Sequence, residues 1–181
     1  MTSSTMQIVN DVLTNEESRQ LEDLLFGARF PWNWCPRIIS TDPNSRSQFT
    51  HTFYQYGQPQ SEHYHDYVLQ RLITKLNAAA LIKIKANMQQ KTDEIVEHQA
   101  HIDHQFPNAK TAIYYVNTCN GYTCWDTPHV YDNATVTWSN SKRFSNRNTM
   151  AIFDSELQHF GTTCTDAAAR CVINFNYFPA Q

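Results

Sequence analysis

Hydrophobic and polar positions alternate along most of this chain, interrupted by two stretches of helical period. Residues 7–13 (QIVNDVL) make a short apolar run of strand length. Thr14-Asn15-Glu16-Glu17 then has the form of a helix start: Thr14 caps, and Glu17 three residues on completes a capping box. Leu21, Leu24, Leu25 and Ala28 follow at helical spacing, and Gly27 marks the end. Phe30-Pro31-Trp32-Asn33-Trp34-Cys35-Pro36 cannot continue a helix, because each proline lacks a donor and restricts the residue before it; this loop is placed to cover a pocket. Residues 47–56 alternate as a strand. Val68, Leu69, Leu72, Ile73, Leu76 and Ala80 form one apolar face of a second helix over 67–80. Strand-like runs follow at 81–88, 94–103, 111–117 and 150–153, and one at 171–178 ends the chain. This density of strands predicts a mainly β fold with flanking helices: an antiparallel sandwich or barrel with helices packed outside. With no repeat or linker, 1–181 reads as one domain, residues 1–80 giving strand and helix support and 81–178 the core.

Composition narrows the class. Formal net charge is -3, so no bulk basic field favours nucleic acid as a partner. Aromatics make up 13% of the chain while glycines number four, the profile of a packed domain rather than a low-complexity segment. MTSSTMQIVND has neither the basic nor the apolar region of a secretory signal, and no window approaches a membrane span, so a cytoplasmic protein without membrane contact is expected. Cys35, Cys119, Cys124, Cys164 and Cys171 are odd in number, with no C-x-x-C pair, and read as free thiols. Asn133-Ala134-Thr135 matches a glycosylation pattern that would be idle in the cytoplasm.

Chemistry concentrates in the second half. In a strand, His101 and Asp103 share one face while Ile102 points to the other, so a rigid element offers two metal ligands to one point. Glu97 and Gln99 would share that face and line a wet cavity. H-x-D alone is weak in a chain with eight histidines. Further on, residues 153–159 (FDSELQH) lead from a strand into a turn, and Arg170 opens the last strand. The combined order H-x-D, H, R is much more specific. Two histidines and one carboxylate leave the opposite face of a metal free, the arrangement of non-haem Fe(II) oxygenases. The helical H-E-x-x-H of many zinc hydrolases is absent. Arg170 supplies a permanently charged fork suited to a dicarboxylate. Both histidines must be neutral to ligate, so metal affinity should fall below about pH 6.

The stretches 101–117 (HIDHQFPNAKTAIYYVN) and 150–178 (MAIFDSELQHFGTTCTDAAARCVINFNYF) resemble the core of the Fe(II)/2-oxoglutarate dioxygenases, nearest the prolyl-4-hydroxylase-like branch and its small single-domain members in bacteria and phages. That resemblance implies a double-stranded β-helix (jelly roll, cupin-like) fold, with His101, Asp103 and His159 as the metal and catalytic triad. It implies Fe(II), 2-oxoglutarate and O2 as cofactor and co-substrates, the distal carboxylate held by Arg170. It further implies a tyrosine on that carboxylate: Tyr115, with Tyr114 the runner-up, since alternation sends only one ring to the pocket. Hydroxylation of a small-molecule or peptidyl substrate, a prolyl residue among the options, with release of succinate and CO2, is the activity implied. The segment 120–140 departs from the family's usual pattern: Asn120-Gly121 reads as a turn, followed by an added hairpin and a basic stretch, so the substrate class stays open.

Other residues are weaker candidates. Lys83, Lys85, Asn87 and Gln89 form one face of a strand, for which solvent exposure is the expected setting; Asn87 is the candidate among them to line the pocket. Trp125, Trp138, Arg143 and Arg147 are placed at an entrance or on a packed surface. His63-Tyr64-His65 lacks a third ligand, and His104 points away from Asp103. A non-catalytic, cupin-like metal or 2-oxoglutarate sensor remains the alternative function.

Overall fold

The alternating runs satisfy their backbone hydrogen bonds in two antiparallel sheets. A computed structural model describes residues 6–38, 45–131 and 135–180, with the side chains of 126–141 outside that description, Trp138 among them; most of the glycosylation pattern also falls outside.

The N-terminal run forms β1 (Gln7–Asn10) and leads into α1 (Asn15–Phe26). Its capping box is present: the Glu17 amide donates to Thr14 Oγ1 at 3.2 Å, and the Thr14 amide donates to Glu17 Oε2 at 2.9 Å. The proline-flanked loop contains β2 (Asn33–Cys35), followed by β3 (Gln48–Gln55), β4 (Gln58–Pro59) and α2 (Tyr67–Lys75). The second helix is shorter than its apolar periodicity predicts. Leu76 closes it, Asn77 takes a left-handed conformation (φ 48), and the chain turns directly into β5 (Ala78–Gln90). Asparagine tolerates that region better than most residues, and this ends the helix.

The remaining strands are β6 (Lys110–Tyr115), β7 (Cys119–Tyr131), β8 (Thr135–Ser145), β9 (Thr149–Asp154), β10 (His159–Gly161) and β11 (Ala169–Pro179). The large sheet runs β1-β9-β6-β11-β5-β3-β2, with β4 beside β3; the small one runs β10-β7-β8. N-terminal strands therefore sit at both ends of the large sheet. Added-hairpin residues pair as β7 and β8, from Cys119 opposite Ser145 to Tyr131 opposite Thr135. Asn120-Gly121 is not a turn but lies inside β7, at a register shift between Cys119 and Tyr122. The run at 94–103 is not a continuous strand; it touches the small sheet at two bridges, Glu97 with Thr162 and His101 with His159.

Alternation decides which face each residue serves. Along β11, Cys171, Ile173, Phe175 and Tyr177 join Leu21 and Leu25 of α1 and Leu69 and Leu72 of α2 in the main core. Arg170, Val172 and Asn174 face the other way, into a cavity between the sheets. A second cluster of Ile113, Tyr115, Trp125, Ala151, Phe153 and Val172 fills the space beside that cavity. The helices thus cover one face of the large sheet and leave the other for chemistry. The five cysteines form no disulfide, and among the described residues no helix is long and apolar enough to cross a membrane.

Candidate metal centre

His101 and His159 face each other across a bridge, each backbone amide donating to the other's carbonyl at 2.9 Å. This pairing brings the two imidazoles to 4.8 Å between ring centroids. Asp103 Oδ1 lies 3.8 Å from His101 Nε2 and 3.9 Å from His159 Nε2. One ligand atom from each residue lies within 4.8 Å of the others, the only such group of three among the described residues.

Each of the three side chains is held from behind. His159 Nδ1 is 3.0 Å from the Leu157 carbonyl and His101 Nδ1 is 3.3 Å from that of Gln99, so each Nδ1 carries the proton and each Nε2 lone pair faces the triangle. Asp103 Oδ2 accepts from Thr111 Oγ1 at 2.8 Å and Asn176 Nδ2 at 2.9 Å, which leaves Oδ1 for a metal. Burial pushes the Asp103 carboxyl up, but His159, the Thr111 and Asn176 hydrogen bonds and His101 outweigh it, and the net pKa falls. For His159 burial dominates and lowers the pKa, with Asp103 opposing. The result is an ionised carboxylate beside an imidazole kept neutral, as ligation requires.

Arg170 stands at the far end of the same cavity, only 4% exposed. Its Nε donates to Ser145 Oγ at 2.8 Å and its Nη2 to Thr123 Oγ1 at 2.9 Å, both neutral acceptors from the β7–β8 hairpin. No carboxylate among the described residues pairs with it, although a buried unpaired charge is costly. The Tyr115 ring lies 5.9 Å from the Arg170 guanidinium carbon, its hydroxyl buried without a hydrogen-bond partner. Burial raises the Tyr115 pKa against the pull of Arg170 and of the nearby Thr123 hydroxyl, so the phenol stays protonated. Tyr114 is excluded: it lies in the main core, its hydroxyl donating to Asn148 Oδ1 at 3.3 Å, because alternation turns it to the helix side.

Asn87 does line the cavity, and so do its neighbours Lys85 and Gln89, for which solvent exposure was the sequence expectation. The small sheet covers that face. Burial, then Lys83, lowers the Lys85 pKa, and Asp103 opposes both. His98 also lines the cavity; sequence reasoning missed it because the irregular backbone at 94–103 defeats alternation. Its Nδ1 is 3.1 Å from Gln89 Nε2, and burial, followed by Arg170 and Arg46, pulls its pKa down to about 4. Glu97 lies instead at the surface, bonded to the Tyr122 hydroxyl and 3.7 Å from Lys142. Trp125 is buried in the second cluster; Arg147 pairs with Glu22 at 3.1 Å, and Arg143 donates to Asn10 Oδ1 at 3.0 Å, so none of these lines the cavity. His63 packs on Phe30, and His104 stacks on Phe106.

No family model matches the chain, and no curated protein matches it. Solved structures do. A Pseudomonas putida prolyl-4-hydroxylase is 10% identical, with a TM-score of 0.60 over 98% of this chain and 95% of that one. A prolyl hydroxylase from Trichoplax adhaerens, in complex with a hypoxia inducible factor oxygen degradation domain peptide fragment, is 17% identical at 0.58 over 96% and 83%. The epimerase SnoN, in complex with Fe3+, alpha ketoglutarate and nogalamycin RO, is 12% identical at 0.64 over 98% and 80%. Over nearly its whole length, the chain has the fold of the solved 2-oxoglutarate and iron-dependent oxygenases, prolyl hydroxylases among them.

Proposed function

We propose that this protein is a non-haem Fe(II)- and 2-oxoglutarate-dependent dioxygenase that hydroxylates a C–H bond, with His101, Asp103 and His159 as its metal ligands. The observation that carries the reading is one cavity with a braced two-histidine, one-carboxylate triangle at one end and a buried, uncompensated arginine at the other. The donor set suits Fe(II). Arg170, with the unpartnered Tyr115 hydroxyl beside it, suits the distal carboxylate of 2-oxoglutarate.

When bound, iron with 2-oxoglutarate and O2 supplies oxidation of the substrate, with succinate and CO2 as co-products. The chain's own part is to hold and orient. Leu157 and Gln99 carbonyls fix the imidazole tautomers, Thr111 and Asn176 aim Asp103 Oδ1, and Thr123 and Ser145 aim Arg170. The two sheets wall the cavity on either side and leave it open to solvent at His101.

The solved neighbours include one with a peptide and one with a small molecule, so substrates of both kinds suit this fold. Cysteines that form no disulfide fit a cytoplasmic setting. The test is direct: the purified protein with Fe(II) and 2-oxoglutarate should release succinate in air, and Asp103→Ala should not. Thermal stabilisation by Mn(II) with N-oxalylglycine, but no succinate from any substrate tried, would favour the non-catalytic sensor.

A further inference from the structure

The cavity holds more polar groups than the metal and co-substrate require. Lys85, Asn87 and Gln89 run along its β5 wall, and Asn174 faces Lys85 from β11. Lys85 is half-buried and forms no ion pair among the described residues, although it is close enough to Asp103 to feel its charge. Oδ1 of Asn87, Oε1 of Gln89 and Oδ1 of Asn174 are buried without hydrogen-bond partners, as is His98 Nε2. Native structures rarely leave so many buried polar atoms unmet in one place, and the amide orientations allow each group to donate or accept.

Charge points the same way. Fe(II) carries two positive charges, matched by the two negative charges of 2-oxoglutarate, and Asp103 balances Arg170. The charge of Lys85 is left over. Beyond Gln48, Gln89 and His98, which line both spaces, the cavity adjoins a second hollow of about 310 Å³. Trp34 and Arg46 stand exposed on one side of it and Lys91 on the other, and the Trp34 ring meets Phe49 edge-on at 5.4 Å. Trp34 and Phe49 lie level with Met88, on the helix-side face of the sheet, so what the hollow adds to the cavity is two further cations, and its volume falls within the usual range for small-ligand sites.

We propose that the substrate is a small organic acid, its carboxylate held by Lys85 with its N–H or O–H groups on the Asn87 and Asn174 amides. This rests on the dioxygenase reading and gives that site a substrate class. A peptide segment, neutral where a free acid carries its carboxylate, is the occupant the charge argues against.

The test compares N-acetyl-L-tryptophan, N-acetyl-L-phenylalanine and N-acetyl-L-leucine with their neutral amides. Binding is measured by calorimetry on protein loaded with Mn(II) and N-oxalylglycine. At least one acid should bind at least tenfold tighter than its amide. Lys85→Met should abolish that preference, and Lys85→Arg should restore part of it. N-oxalylglycine affinity, read as a thermal shift, should be unchanged in both variants. If no acid outbinds its amide, or if Lys85→Met keeps the preference, the assignment is overturned. It is also overturned if Lys85→Met loses N-oxalylglycine, because Lys85 would then serve the co-substrate. Failure of the unaltered protein to bind Mn(II) with N-oxalylglycine would instead remove the dioxygenase reading, and this inference with it.

Discussion

Asp103 shows how much a single carboxylate depends on its neighbours. Thr111 Oγ1 and Asn176 Nδ2 both donate to Oδ2, and they also bond to each other at 3.0 Å, so Oδ1 is fixed toward the two imidazoles. Removing such partners typically weakens metal binding by roughly 10–100-fold without removing a ligand. Thr111→Val and Asn176→Leu should each do so in a Mn(II) titration, while Asp103→Ala should abolish binding. Acidity offers a second check. A proton competes with metal for each imidazole nitrogen, and burial lowers the His159 pKa, so that competition begins at lower pH than for an ordinary histidine. Loss of Mn(II) from the His159 side should therefore set in below the pH of about 6.5 at which an ordinary imidazole titrates. Affinity already collapsing at pH 6.5 would contradict this. The candidate ligands were readable from H-x-D and the downstream histidine, but Thr111 and Asn176 were not marked by any motif, since only the sheet register brings them to Asp103.

Among the elements, the β7–β8 hairpin does what the sequence left open. It was expected as an addition near the substrate entrance; its base instead carries Thr123 and Ser145, which hold Arg170. Gly121 and Gly161 let the guanidinium pass. A Cβ on Gly121 would lie 2.6 Å from Arg170 Cδ and 2.6 Å from the Thr163 carbonyl oxygen, and one on Gly161 would lie 3.1 Å from Arg170 Nη1. Gly121→Ala should therefore displace Arg170 and weaken N-oxalylglycine binding at least tenfold, with less effect on Mn(II) alone. A control lies in α1: Thr14→Ala removes the capping box and should cost about 1 kcal/mol in urea unfolding with the site intact. The capping box was fully legible because it is local. The early end of α2 was not, because its apolar periodicity continues past Lys75 into β5, where the same residues serve a strand.

For the whole molecule, enclosing a polar cavity has a cost that should appear as acid sensitivity. His98 has a folded pKa of about 4 against an ordinary value of 6.5. Between those values the unfolded chain binds the proton and the folded one does not, so stability is full above about pH 6.5 and falls as pH drops toward 4. The accumulated loss is on the order of 3 kcal/mol. Urea unfolding at pH 7 and pH 4.5 should show it, and His98→Gln should reduce the difference, with His51 and His159 supplying part of the remainder; an unchanged difference would contradict the assignment.

Sequence alone picked out His101, Asp103, His159 and Arg170 as candidates, and it determined the mainly β class and the helix cap, because each depends on residue type and order along the chain. It left Tyr114 and Tyr115 unresolved, took Lys85 and Gln89 for surface residues and read 94–103 as a strand. Those questions turn on which face of the large sheet the helices cover. Once α1 and α2 pack on the side of Ile173 and Phe175, alternation commits Tyr115, Lys85, Asn87, Gln89 and Arg170 to the other side, beneath the small sheet. Long-range pairing makes that choice, and no local pattern encodes it.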